Sequence, residues 1–359
     1  MQILNPSVYQ NINKSEESIF YVLKKNSKSL VSVPSDNSKR HRFCVGTFEN
    51  SDSNQVEIIS FDEESNTVSQ ESVVNNLLPV NQISDFYSTE NETHLLVSFT
   101  NLSEKGSFLS LLSYKSDNAN SHNFTSVGDK LFKKFKQLAV DPHSTLNSTR
   151  FSVITSDSLH IYSNYKEQLN YSCDKDPLDQ YSSNYFVGKF DPHNKDLFTV
   201  SIDNYFNTID LRQNQDKSVN SNKVCSSTSV GYHSGIILDI NYNPNVPNEL
   251  VTVGEDTFLL VWDLRNTLRP VNSFSTGHGH WVKKVLHNSF HDHLLLTSGS
   301  NGSFLHTINE GKLDNITTKS TSSNDICWSN DDAWIYCNLL NNNLRIDTVP
   351  KDIKYSLLS

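Results

Sequence analysis

The sequence predicts an all-β chain, a seven-bladed β-propeller closed by an N-terminal strand, and three observations lead there. One unit, Ile240 to Arg265, reads as two short apolar strands, Leu250-Val-Thr-Val253 and Phe258-Leu-Leu-Val-Trp262, split by the acidic turn Glu255-Asp256. It ends in Trp262-Asp263, the signature of a WD repeat. Related units recur, with Pro142, Pro192 and Pro244 following one another at steps of about 50 residues, the period of a four-stranded blade. The intervening segments are rich in Asn and Ser, which hydrogen-bond their own backbone and tolerate turn conformations.

In chain order, the expected blades lie at residues 41–63, 84–114, 138–163, 187–212, 237–265, 282–309 and 325–349 of a single domain spanning 1–359. The first two are the weakest, resting on Phe43-Cys-Val-Gly-Thr47 with Gln55–Phe61, and on Leu95–Phe99 with Phe108–Leu112. Val140-Asp-Pro-His143 opens the third, and Phe190-Asp-Pro-His193 opens the fourth, whose Asp210-Leu-Arg ending recurs at Asp263-Leu-Arg265. Val285–Ser289 precedes Leu294–Gly302 in the sixth, and Ile326-Cys-Trp-Ser329 precedes Trp334–Cys337 and Leu344–Ile346 in the seventh. Each blade must cover its neighbour's apolar face, so the ring needs a closing strand, and Ser18–Leu23 is the candidate. The polar stretches Asp117–Asp129, Gln213–Ser229 and Glu310–Asn324 lack strand alternation and read as loops.

Charge and cysteine usage narrow the function. With 30 Lys and Arg against 40 Asp and Glu, the formal charge is −10, and no run of five basic residues occurs, which argues against nucleic acid as a partner. Cys44, Cys173, Cys225, Cys327 and Cys337 are scattered without the close pairing of a zinc or redox site, and read as small buried side chains of a reducing compartment. Met1-Gln-Ile-Leu-Asn-Pro6 lacks a basic leader, and no stretch approaches the roughly 18 apolar residues of a membrane span, so neither secretion nor membrane insertion is expected. The glycosylation-like triplets at Asn91, Asn147 and Asn301 then follow from Asn- and Ser-rich composition.

Four residues of the fifth blade, His233, Thr252, Asp256 and Trp262, stand in the order of a buried hydrogen-bond relay, in which an imidazole links a carboxylate to a hydroxyl that also takes the indole N–H. The competing reading, a nucleophilic triad, needs an exposed hydroxyl and an oxyanion hole, and no Gly-x-Ser-x-Gly elbow is present. His278, His280, His287, His291 and His293 form the densest histidine cluster. His278 falls one blade length after His233 and so in the same slot, and no Cys or acidic pair stands beside it to complete a metal site. The acidic pairs at Glu16-Glu17, Asp62–Glu64 and Asp331-Asp332 read as solvated strand ends, and no Gly-rich phosphate loop occurs. No catalytic residue, cofactor or metal is therefore expected. His280, Trp281, Lys283 and Lys284 are the candidate partner-binding surface, because the two lysines interrupt an otherwise apolar strand.

Having these features, the chain resembles the WD-repeat family of EARP- and GARP-complex-interacting proteins. His278-Gly-His-Trp-Val-Lys-Lys-Val285 with His287–Ser298 is similar to that family's sixth blade, and Val349-Pro-Lys-Asp-Ile-Lys-Tyr-Ser-Leu-Leu358 to its C-terminus. Arg42–Thr47 with Asn54–Asp62 resembles the first blade, and Phe258–Pro270 the fifth. Leu77 to Ser183 fits only as general propeller sequence, and Gly311–Asn324 replaces an acidic insertion common in the family. The resemblance implies a non-catalytic adaptor, monomeric outside its complex, that binds protein subunits of GARP- and EARP-type tethering complexes. It further implies a cytoplasmic protein, peripheral at the trans-Golgi network and endosomes, supporting retrograde transport and recycling. Two other readings are a WD-repeat receptor for histone or ubiquitin-ligase substrates, which the same fold allows, and a propeller enzyme with a metal in the channel, for which the repeats offer no recurring inner-strand ligand.

Overall fold

A computed structural model describes residues 18–35, 37–88, 92–115, 122–128, 130–145, 147–172, 185–212, 225–228, 231–309 and 311–358. Cys173, 117–121, 129 and most of 213–229 lie outside them. Among the described residues the chain forms seven four-stranded antiparallel sheets and one short helix, Lys351–Leu358. Each sheet is a blade. The inner strands, in ring order, are Ser27–Val33, Val80–Ser88, Phe135–Val140, Tyr185–Phe190, Ile237–Tyr242, Val282–His287 and Asp325–Trp328. Each inner strand packs beside the next, and the last packs beside the first.

Six blades use consecutive strands. The seventh takes its outer strand from the other end of the chain: Ile19–Val22 pairs with Asn343–Thr348, with Ile19 opposite Ile346 and Val22 opposite Asn343. Closure leaves no open seam in the ring. Ser18 donates a hydrogen bond to Asp347, a buried carboxylate that also receives N–H groups from Asn338 at 2.9 Å and Arg345 at 2.7 Å.

The apolar layers lie between blades. Val187 and Phe206 of blade four meet Ile237, Ile240, Leu260 and Trp262 of blade five, and Phe43 and Ile59 of blade one meet Cys337, Leu344 and Ile346 of blade seven. Burying one such side chain contributes about 1.5–3 kcal/mol. No blade can bury both of its faces alone.

A second repeat ties the inner strands together. Six of the seven carry a bulge near their first residues, at Lys28, Asn81, Lys136, Phe186–Val187, Leu238 and Lys283. The residue following the bulge reaches to the main chain of the next inner strand. Ser29 accepts from Ile83 N–H at 2.8 Å, Gln82 from Leu138 at 2.8 Å, Gln137 from Gly188 at 2.7 Å and Asp239 from Val285 at 2.9 Å. Asp325 closes the circle by accepting from Leu30 N–H at 2.8 Å. Backbone groups that no fifth strand could pair are thereby satisfied.

Two sequence expectations change. Blade one has an inner strand, Ser27–Val33, that precedes residues 41–63; its Ser-rich pattern disguises it, because Ser27, Ser29 and Ser32 are all buried. Glu310–Asn324 is not simply a loop, since Lys312–Lys319 is the outer strand of blade six, and strands at His122–Ser126 and Cys225–Thr228 occupy parts of the other two polar stretches. Lys312–Lys319 is the outer strand of its blade with half of its side chains exposed and only Thr317 buried, so it has no need of apolar alternation.

Candidate protein-binding surface

The fifth blade assembles its relay. The segment ahead of the inner strand brings in His233, the second strand Thr252, the turn after it Asp256 and the third strand Trp262. His233 Nδ1 donates to Asp256 at 2.9 Å, Thr252 donates to His233 Nε2 at 2.7 Å, and Trp262 Nε1–H donates to the same threonine oxygen at 2.9 Å. Asp256 also accepts the N–H groups of Ser234 and Phe258. Burial works against its charge, but the bonds from His233 and these N–H groups outweigh it and hold the carboxyl below the usual carboxylate range. Thr252 is fully buried, and its hydroxyl is held between His233 and Trp262. The arrangement fixes two loops and offers no exposed nucleophile.

Blade six repeats the design with other residues. His278 takes the place of His233, Thr297 that of Thr252, Asn301 that of Asp256, and His306 that of Trp262. Asn315 donates to Thr276 O at 3.2 Å, which turns its oxygen to His306 Nδ1 at 2.6 Å, so that Nδ1 carries the proton. Thr297 then donates to His306 Nε2 at 2.7 Å and accepts from His278 Nε2 at 2.9 Å. The side-chain amide of Asn301, 3.0 Å away, faces His278 Nδ1. Burial pushes His278 below its ordinary value and His306 down to about 4. The sequence reading placed His278 correctly in this slot but missed His306 and Asn315; their signal was a polar pair on an outer hairpin with no other purpose.

The histidine cluster disperses. His287 meets Asn241, His291 packs tilted against Trp334 with centroids 4.3 Å apart, and His293 bonds Ile308 O at 2.8 Å. Among the described residues no three His, Cys, Asp or Glu side chains converge as a metal site.

Several exposed aromatic side chains stand close in sequence to the two relays. Trp281, 45% exposed, packs against His280 with ring centroids 5.0 Å apart, and His280 is held by Ser300 at 3.0 Å. Tyr232, 49% exposed, rests edge-on against the buried Trp262. Phe258, at the start of the third strand of blade five, is exposed as well. Neither Tyr232 nor Phe258 was anticipated from sequence, although Tyr232 immediately precedes the relay histidine. Lys283, the bulged residue, is exposed beside Trp281. Lys284 does not belong to this surface. Its ammonium turns to blade seven, pairing with Asp325 and donating to Ile326 O at 3.0 Å, because the bulge puts the two adjacent lysines in different settings. Burial opposes its charge, and Asp325 more than restores it.

A family profile for the EIPR1 beta-propeller matches residues 15–305. The chain is 27% identical to the human EARP and GARP complex-interacting protein 1, over 35% of this chain and 41% of that protein. It is 27% identical to the EARP-interacting protein homolog of Gekko japonicus over the same shares, and 25% identical to EARP-interacting protein 1 of Caenorhabditis elegans over 34% and 41%. The matched segment thus spans about two fifths of these relatives' length. Among the described residues no helix is long and apolar enough to cross a membrane. With seven closed blades and a profile match over most of its length, the chain belongs to the EIPR1 β-propeller family.

Proposed function

We propose that this protein is a non-catalytic adaptor that binds subunits of EARP- and GARP-type tethering complexes, and so supports retrograde transport to the trans-Golgi network and endosomal recycling. The family match carries this reading, since relatives are named for that interaction. The exposed Trp281, with His280 and Lys283 beside it, is the first choice for the contact. Aromatic anchors on loops that cannot move carry a disproportionate share of binding energy, and these loops are pinned from below by His278 and His233. Thr252, the hydroxyl linked to histidine and acid in blade five, is sealed in the core, which supports a structural role for that relay.

The test is affinity purification of the tagged full chain beside its Trp281→Ala variant. Recovery of tethering-complex subunits by the wild type, and their loss with an unchanged melting temperature in the variant, is the expected result. Recovery of histones or ubiquitin-ligase subunits instead of tethering subunits would overturn the assignment. Full recovery by the variant would move the contact elsewhere on the ring.

A further inference from the structure

The inner strands all begin at one face of the ring, because the residue after each bulge bonds its counterpart in the neighbouring strand. In an antiparallel blade the turn between the second and third strands returns to that same face. On blades one to three this face gathers lysines. Lys25 and Lys28 lie at the start of the first inner strand, Lys105 in the blade-two turn Asn101–Gly106, and Lys133 and Lys136 at the start of the third inner strand. Backbone bonds between Ser107 and Phe132, at 2.8 and 2.7 Å, hold the last two of these groups side by side.

Neutral groups hold two of these cations in place. Lys28 Nζ donates to Asn81 at 3.2 Å and stands 4.5 Å from the centre of the Phe48 ring. Asn81 gives its own N–H groups to Thr100 at 2.6 Å and Ser107 at 2.8 Å, which turns its oxygen to the ammonium. Lys25 donates to Ser53 at 2.7 Å, again without neutralisation. Lys134, by contrast, pairs with Asp157 at 3.1 Å. Glu49, Asp52 and Glu104 share these loops, yet Lys24, Lys25, Lys28, Lys105, Lys133 and Lys136 outnumber them in a protein whose net charge is −10. The acidic run Asp62–Glu64 lies at the opposite end of blade one, in the turn before its outer strand, so charge is polarised across the ring. Two features choose the occupant. The lysines are spread over turns and strand ends of three blades, which matches a broad anionic surface. Leu102, 39% exposed, stands in the same turn as Lys105, and an apolar tip among ammonium groups fits a bilayer, which presents anionic headgroups over hydrocarbon. An acidic peptide would leave that leucine in water. Tyr232 and Trp281 stand at blades five and six, so a membrane against blades one to three leaves them free for a protein partner.

We propose that this face of blades one to three is a docking surface for anionic lipid bilayers, with the lysines on the headgroups and Leu102 at the acyl boundary. Its test is co-sedimentation of the purified full chain, with no tethering subunit present, on phosphatidylcholine vesicles with or without about 30% phosphatidylserine. Binding to the anionic vesicles alone, and release by about 0.5 M salt, is the expected result. Replacing Lys28, Lys105 and Lys133 together by Gln should weaken binding at least about tenfold, since each lysine near such a surface contributes about fivefold. Lys39→Gln with Lys195→Gln and Lys312→Gln makes the same change of charge at the opposite face and should bind as wild type does. Lys105→Gln with Lys133→Gln, both in exposed positions, keeps the test open should the variant lacking Lys28 fail to fold, and should still lose several-fold. Equal binding to neutral vesicles, binding to neither kind, equal losses in the two triple variants, or release by soluble glycerophosphoserine at the headgroup concentration would each overturn the proposal. So would capture of a soluble Gly–Glu peptide by the same lysines in preference to vesicles, which would make the occupant an acidic protein segment.

Discussion

Acidification is expected to weaken the fold through His306, and replacing that residue isolates the effect. Burial holds the imidazole neutral and pushes it down to about 4, against about 6.5 for a free histidine. Its partners are Thr297 and Asn315, neither of which can neutralise an imidazolium. Between the two values the unfolded chain binds a proton that the folded chain refuses, so this contribution is complete above about pH 6.5 and shrinks as the pH falls toward 4. At about pH 5 the loss is about 2 kcal/mol relative to neutral pH, worked from the two pKa values. Asp239, Asp85 and Glu57 act in the opposite sense, because burial raises each of them and protonation in the folded state then favours folding as the pH drops. The informative quantity is therefore the difference between wild type and His306→Gln. Urea unfolding followed by tryptophan fluorescence at about pH 7.5, 6 and 5 should show the gap between the two proteins closing by about 2 kcal/mol over that range. Parallel stability curves would refute the argument.

Other perturbations follow from the same contacts. Asp256→Ala strands His233 and two N–H groups and should lower stability by about 3 kcal/mol, whereas Asp256→Asn, which copies Asn301 of the next blade, should cost about 1 kcal/mol; both are read by chemical denaturation, and equal losses would contradict the relay. Gly302 has φ +147°, and a Cβ there would lie 2.0 Å from Lys319 O, so Gly302→Ala should destabilise by about 2–4 kcal/mol, against little change for Gly311→Ala, whose Cβ would meet nothing, beyond its own positive-φ strain. Deleting Ile19–Val22 bares the edge of Asn343–Thr348, and size-exclusion chromatography should then show aggregation; a monodisperse protein with native melting would sink the closure argument.

Blade five was legible residue by residue, because its two central strands are buried on both faces and a WD ending marks where they stop. The residues of its relay are close in sequence, His233 to Trp262, so their spacing alone suggested their contact. Blade six shares the physics but not the letters: an imidazole replaces an indole, and only the register of Leu295 with His306 reveals the equivalence.

The repeat is readable in the chain alone: alternating apolar segments at a blade-length period, with turn residues between them, admit few architectures other than a ring. The tertiary structure alone decided which polar side chains reach from one blade to the next. Asp325 and Leu30 lie at opposite ends of the chain yet share a hydrogen bond. Lys283 and Lys284 are adjacent yet serve different surroundings. Local pattern encodes which faces are apolar, whereas these contacts exist only once the ring has closed and brought the two chain ends onto one sheet.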